Sequence, residues 1–473
     1  MRILSAIVLT LLLGARVDAA DTKPKLGVVL VVDQMRADYM ERFADHGLGR
    51  FMKEGAYYEN ARHEHIPTYT AVGHSAISTG RYPKDHGIVG NDIYDRKTGK
   101  TVPFVKDEEL GKGPFRLNAA TLGDELKKTS AKSVVVSISG KDRSAILMGG
   151  KKADVVLWYS KKTGQFKSSS FYGKLPEWVE AWNAENKISK DRRKSVRKHP
   201  HLDQLTLSLA RRAVEVMDLG EDDAPDLLFV GLSATDYLGH KVGPYDPLMD
   251  TQLKSLDREL GSFLDYLDRK VGANSYTAAL SSDHGVLPLP ESPEGKAMGA
   301  RRVSSKDIRR YLESSLQTEY GMPTSGKEWV SGWNPPHVYL NLNSLKRSKR
   351  KKLVRRAADL LTVRDEFVWA HPVNSIPSKA EYAEYFRRSL PKGRAGDIAF
   401  LVKPGVLLTN YPKGTSHGTP YDYDSRVPIA LLGFGVKPAR HGREATAVEI
   451  APTLGRLLGV KFKGQILKEA LVR

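Results

Sequence analysis

The chain has 473 residues, of which 40% are hydrophobic and 27% charged, with a formal charge of +19 and no cysteine. That length exceeds one simple core and suits a large soluble catalytic domain carrying insertions. The missing thiols exclude disulfides and thiolate metal ligands, and the charge favours anionic partners without choosing among phosphorylated substrates, nucleic acid and acidic envelope material.

In chain order the first element is a leader. Arg2 supplies a positive start, Ile3 to Leu13 a short apolar stretch, and Val17-Asp18-Ala19 a small-residue cleavage site. This pattern predicts a signal peptide over residues 1–19 and a periplasmic or secreted chain over residues 20–473. Loss of Arg2, Arg16 and Asp18 with it leaves a charge near +18. Beyond the leader nothing is long and apolar enough to span a bilayer.

Five apolar runs follow: Leu26 to Val32, Ser133 to Ser137, Leu227 to Val230, Tyr276 to Leu280 and Val427 to Leu432. Continuous apolar strands separated by helical patterns predict an α/β fold, a mostly parallel sheet with helices on both faces. Leu253, Leu256, Leu260, Leu264 and Leu267 recur at three- and four-residue steps, which makes them the core stripe of a helix. Two stretches interrupt this grammar, at about 150–200 and about 290–400, and read as insertions. The second has its own helical segments at Ser305 to Gln317 and Leu345 to Leu361 and reads as a cap.

In an open α/β sheet, ligands bind beyond the carboxyl ends of the strands. The first run ends in Asp33, the third leads into Asp236 and His240, and the fourth ends in Asp283-His284. His417 comes near the last strand, in Gly414-Thr415-Ser416-His417-Gly418. Alone, each residue is an ordinary helix cap or a satisfied histidine. Six such N/O ligands converging on one place suit two zinc ions, each with an open position. In Ile66-Pro67-Thr68-Tyr69-Thr70 a turn precedes an opening helix, whose positive end favours an incoming phosphate at the Thr70 hydroxyl. A threonine hydroxyl is a poor nucleophile until a metal activates it.

The segments Asp33-Gln34-Met35-Arg36, Pro67 to His74, Gly87-Ile88-Val89-Gly90-Asn91-Asp92, Asp236/His240, Asp283-His284 and His417 to Asp424 resemble the alkaline phosphatase superfamily. Within it they are similar to the bacterial phosphate-insensitive alkaline phosphatases with a threonine nucleophile, relatives of the nucleotide pyrophosphatase/phosphodiesterases. The resemblance runs over residues 25–460, weakest in the insertions. It implies one zinc held by Asp236, His240 and His417, and another held by Asp33, Asp283, His284 and the Thr70 oxygen. Asn91, Lys141 and Arg143 would then hold the phosphoryl oxygens. The implied reaction is hydrolysis of a phosphate monoester, with Thr70 attacking phosphorus in line and water then cleaving the phosphothreonine. Two cations at 141 and 143 favour the dianion of a monoester over the monoanion of a diester.

The expected partners are small phosphate esters, with no specific nucleic acid partner; the sequence leaves the oligomeric state open, with a monomer favoured. The alternatives are a phosphodiesterase or nucleotide pyrophosphatase on the same scaffold, and a basic binding protein without turnover. His63, His65, His74 and His86 read as structural or surface residues, and the basic runs Lys187 to Lys198 and Lys346 to Arg356 as solvated faces.

Overall fold

The computed structural model describes residues 23–472. The leader expected over residues 1–19 lies outside the described residues. The nine-stranded main sheet uses β1 (Leu26–Val32), β2 (Ala56–Arg62), β3 (Val135–Ser139), β4 (Val155–Ser160), β5 (Gln165–Lys167), β6 (Asp226–Leu232) and β7 (Tyr276–Ser281). Then come four strands of a second sheet, β8 (Val330–Asn334), β9 (His337–Leu340), β10 (Phe367–Pro372) and β11 (Ile398–Val402). The chain returns to the main sheet with β12 (Ile429–Gly433) and β13 (Ala439–Thr446).

The main sheet has the order β13-β2-β12-β7-β1-β6-β3-β4-β5. β7, β1, β6, β3 and β4 are mutually parallel neighbours, while β12 runs against both β7 and β2, and β5 runs against β4. The last apolar run is thus an antiparallel strand rather than another parallel one. It starts after Pro428, which has no N–H to give to a ladder, and this sets its boundary at Ile429. The run expected at Ser133 begins instead at Val135; the Val134 and Val135 N–H groups at the start of the ladder go to the Asp226 and Asp154 carboxylates.

Every residue of β1 is buried, which its two-sided cover explains. Leu26, Val28, Leu30 and Val32 pack with helices α4 (His201–Val216) and α6 (Pro247–Leu267). Val29 and Val31 point the other way, onto α1 (Thr70–Thr79), α2 (Leu122–Thr129) and α9 (Ile450–Leu457). Successive side chains alternate faces along a strand, so a strand covered on both sides must be apolar throughout. All five leucines of the 253–267 stripe lie in the first of these cores.

The short helices α3 (Asp142–Gly149) and α5 (Ala234–Val242) follow β3 and β6. The expected helices of the later stretch are present as α7 (Ser305–Tyr320) and α8 (Arg347–Thr362), packed on the antiparallel sheet β8-β9-β11-β10 around a core of their own. Its basic run lies on the exposed side of α8. The stretch read as an earlier insertion, by contrast, places β4 and β5 in the main sheet. Its Lys-rich turns hide a strand of five buried residues, Val155 to Tyr159.

Leu30→Ala should cost about 3 kcal/mol of unfolding free energy, since rigid neighbours on both sides hold the cavity open. Urea denaturation of the purified variant measures this. A loss under about 1 kcal/mol would contradict the close packing at β1.

Candidate metal centre

Four adjacent parallel strands end side by side, and each hands a chemically active loop to the same edge. β7 leads into Asp283 and His284, β1 into Asp33, β6 into Asp236 and His240 on α5, and β3 into Lys141 and Arg143. His417 reaches that edge from the opposite sense: antiparallel β12 starts where its neighbours stop, so the loop before it lies at the same edge.

The result is two ligand groups. Asp33, Asp283 and His284 offer atoms within 4.8 Å of one another, and so do Asp236, His240 and His417. The groups adjoin, because the His284 and His417 rings stack with centroids 3.5 Å apart. All six expected ligands are therefore brought together.

The imidazoles are aimed by the backbone. Nδ1 of His240 lies 2.8 Å from the Thr415 carbonyl, Nδ1 of His284 2.9 Å from that of Gly285, and Nδ1 of His417 2.7 Å from that of Thr68. A carbonyl oxygen only accepts, so each Nδ1 carries the proton and each Nε2 keeps its lone pair. This orientation is typical of metal-bound histidine. Burial pushes His284 down to about 4 against the opposing charges of Asp283 and Asp236, and together with His284 and His240 it holds His417 well below the usual range. Burial opposes protonation of His240 too, yet the Asp236 carboxylate outweighs it and raises this ring.

The carboxylates supply the electrostatic reason for cations. Asp33, Asp236 and Asp283 are all buried. Asp33 Oδ1 has no hydrogen-bond partner. Burial, then repulsion from Asp236 and Asp283, drives Asp33 well above the carboxylate range, with Lys141 opposing. Asp236 and Asp283 are held well below it, since histidine and Lys141 charges outweigh their burial. Lys141 stands between the groups, its ammonium 2.7 Å from Asp33 Oδ2 and 2.5 Å from Asp236 Oδ2. The rise of Asp33 reflects repulsion among three buried carboxylates that Lys141 relieves only in part; divalent cations would relieve the rest, and the oxygen and imidazole donors fit such ions.

Thr70 opens α1 and is buried beside this cluster, its Oγ1 3.5 Å from His284 Nε2 and 3.4 Å from Arg143 Nη2. The residue before it, Tyr69, is the helix cap, so the Thr70 hydroxyl is not spent on capping. Asn91 accepts the Ala71 N–H at 2.9 Å through its carbonyl oxygen, which leaves its amide N–H groups as donors near the same helix end. α1 can approach this closely because of Gly73, where a Cβ would stand 2.2 Å from the Asp283 carbonyl oxygen.

Residues 27–424 match the type I phosphodiesterase / nucleotide pyrophosphatase family. The chain belongs to that family. A Myroides odoratus protein named calcium-transporting ATPase is 30% identical, over 93% of this chain and 92% of its own. Alkaline phosphatase PafA of Elizabethkingia meningoseptica is 29% identical, over 97% and 96%. A crystal structure of alkaline phosphatase PafA superposes with a TM-score of 0.86 at 28% identity, covering 95% of this chain and 99% of that one. The resemblance to the alkaline phosphatase superfamily is thereby borne out, as are the α/β fold class and the reading of the chain as an enzyme rather than a binding protein. Among the described residues no helix is long and apolar enough to cross a membrane.

Two supports of this centre, Gln34 and Asp424, were not singled out from the sequence, and a third, His74, is one of the histidines read as structural or surface. Gln34 has a left-handed backbone (φ 68°), rare and strained outside glycine; its N–H bonds Asp283 Oδ1 and its side-chain amide bonds Asp236 Oδ1. Asp424 is buried and pushed up to about 7 by that burial, while its Oδ2 accepts from the N–H groups of Gly418 and Thr419 and from the Thr419 hydroxyl, tying down the His417 loop. His74 bonds the Thr70 carbonyl through Nδ1, 3.2 Å from Asp283 Oδ2. Gln34 and Asp424 stood inside the quoted motifs, where nothing separated them from their neighbours. His63, His65, His74 and His86 belong to neither ligand group, yet all four are buried, so none is a surface residue.

Chelation of divalent metal should lower the melting temperature by about 5 °C or more, reversed by added zinc, because it re-exposes unpaired buried carboxylates. Differential scanning calorimetry with and without chelator checks this. Gly73→Val should keep the far-ultraviolet circular dichroism while weakening zinc binding at least about tenfold by pushing α1 off Asp283. Unaltered zinc affinity in that variant would show that the close approach is dispensable.

Proposed function

We propose that the chain hydrolyses phosphate monoesters through a phosphothreonine on Thr70, at a centre of two zinc ions. The observation carrying this reading is the meeting of both ligand groups at the end of α1, with Thr70 Oγ1 beside His284 Nε2 and Arg143. The near full-length similarity to an alkaline phosphatase supports the reaction class.

Asp33, Asp283 and His284 would hold one ion and Asp236, His240 and His417 the other, His and carboxylate sets that suit zinc. Bound there, the ions supply a lowered pKa for the Thr70 hydroxyl and stabilisation of the departing ester oxygen. The chain's own work is positional. The buried first turn of α1 presents Oγ1 toward phosphorus, and the helix end favours the incoming anion. The Oγ1–P bond forms as the ester P–O bond breaks, and water later cleaves the phosphothreonine to free phosphate and the hydroxyl. Arg143, with Nε buried and unpartnered, has donors for two phosphoryl oxygens, the Asn91 amide can take another, and Lys141 acts as a point charge.

Substrate choice follows from charge: two cations suit the dianion of a monoester better than a diester. The reading also places the mature enzyme outside the cytoplasm, as a monomer acting on small esters.

Thr70→Ala should keep fold and bound zinc while turnover of p-nitrophenyl phosphate falls at least about a hundredfold. Retained turnover would remove Thr70 from the reaction. Lys141→Ala combined with Arg143→Ala should depress kcat/KM for that monoester at least about tenfold more than for bis-p-nitrophenyl phosphate. Equal losses on the two esters would favour the phosphodiesterase reading instead.

A further inference from the structure

The C-terminal edge of the sheet continues one strand beyond the centre. There the ends of β3 and β4 frame a cavity of about 280 Å³ that also touches Lys141 and Tyr237. Its walls are strongly cationic: Lys161 and Lys162 follow β4, Lys167 closes β5, and Arg197 comes from the basic run at 187–198. The one carboxylate of the lining, Asp142, is already engaged by Lys112. Arg197 is half-buried, and its Nε is enclosed without a hydrogen-bond partner. Its guanidinium lies 4.5 Å from the Tyr237 ring centre, and the Lys141 ammonium lies 5.1 Å from the same centre. The cavity and the catalytic edge therefore share one aromatic wall.

An arginine held half-buried beside three lysines, in a cavity whose only acid is occupied, is a place built for an anion. Base stacking has no free surface there, since Trp158 and Tyr159 are buried and Tyr237 is covered by two cations. We propose that this cavity is a second anion subsite, which takes a further phosphate group of a substrate whose other phosphate reacts at Thr70. The substrate class is then small bis- or polyphosphorylated esters. This rests on the monoesterase reading above.

The test compares fructose 1,6-bisphosphate with p-nitrophenyl phosphate in the zinc-loaded enzyme and in the variant Lys161→Ala, Lys162→Ala, Lys167→Ala. These lysines are exposed, so the fold is unaffected. The variant should raise KM for the bisphosphate about tenfold, leaving its kcat and both constants for the small ester within about twofold. A control with Lys349→Ala, Lys351→Ala and Lys352→Ala on α8 removes the same charge elsewhere and should change neither ester. Equal effects from the two triple variants would make the cations a diffuse field and overturn the subsite. So would equal losses on both esters. If the wild-type enzyme turned over neither ester, the monoesterase reading would fail. The subsite would then be decided by calorimetric titration with the bisphosphate: weaker binding to the 161/162/167 variant supports it, and equal binding overturns it.

Discussion

Three carboxylates, Asp33, Asp236 and Asp283, are buried within one cluster at the ends of adjacent strands. Unneutralised, such a cluster is among the costliest arrangements a protein interior can hold. Much of the surrounding architecture serves to bear that repulsion: Lys141 spans Asp33 and Asp236, Gln34 donates to Asp236 and Asp283, and His74 approaches Asp283. What remains is a demand for positive charge that divalent cations would meet.

Because the cost is high, the geometry must be over-determined. Each ligand imidazole is held by a backbone carbonyl, that of Thr415 for His240, Gly285 for His284 and Thr68 for His417. The His417 loop is tied by Asp424, whose carboxylate gathers three donors from Gly418 and Thr419. Gly73 lets α1 press against the Asp283 backbone, so the Thr70 hydroxyl is set by helix packing rather than by a mobile loop. In the proposed reaction, preorganisation of this kind would let the Thr70 hydroxyl and the fixed charges act without reorganising.

Basic residues divide by location. Those on α8 face solvent, over a separate core, and serve only the general field of the molecule. Those beyond β3 and β4 surround a concavity next to the centre. Lysines that converge on one concavity act together on a ligand inside it, whereas those spread over a convex helix face are screened apart by water.

Much was legible in the sequence because the central strands are covered on both faces and so must read as unbroken apolar runs. Their ends could be found, and with them Asp33, Asp236, His240, Asp283 and His284. The stripe of α6 was legible for the same reason: its burial writes a 3.6-residue period. Hidden from the sequence were β2, β4 and β13, which mix polar and apolar residues toward the sheet margins or lie among lysines. The opposite sense of β12 was hidden as well, since strand direction leaves no trace in composition. The sequence by itself determined which side chains could serve as ligands and that they sit at strand ends. Only the tertiary structure decided that four strands lie side by side, that an antiparallel fifth returns His417 to the same edge, and that Gln34, His74 and Asp424 hold the set. Adjacency in a sheet is chosen by packing among segments hundreds of residues apart, and no local pattern records it.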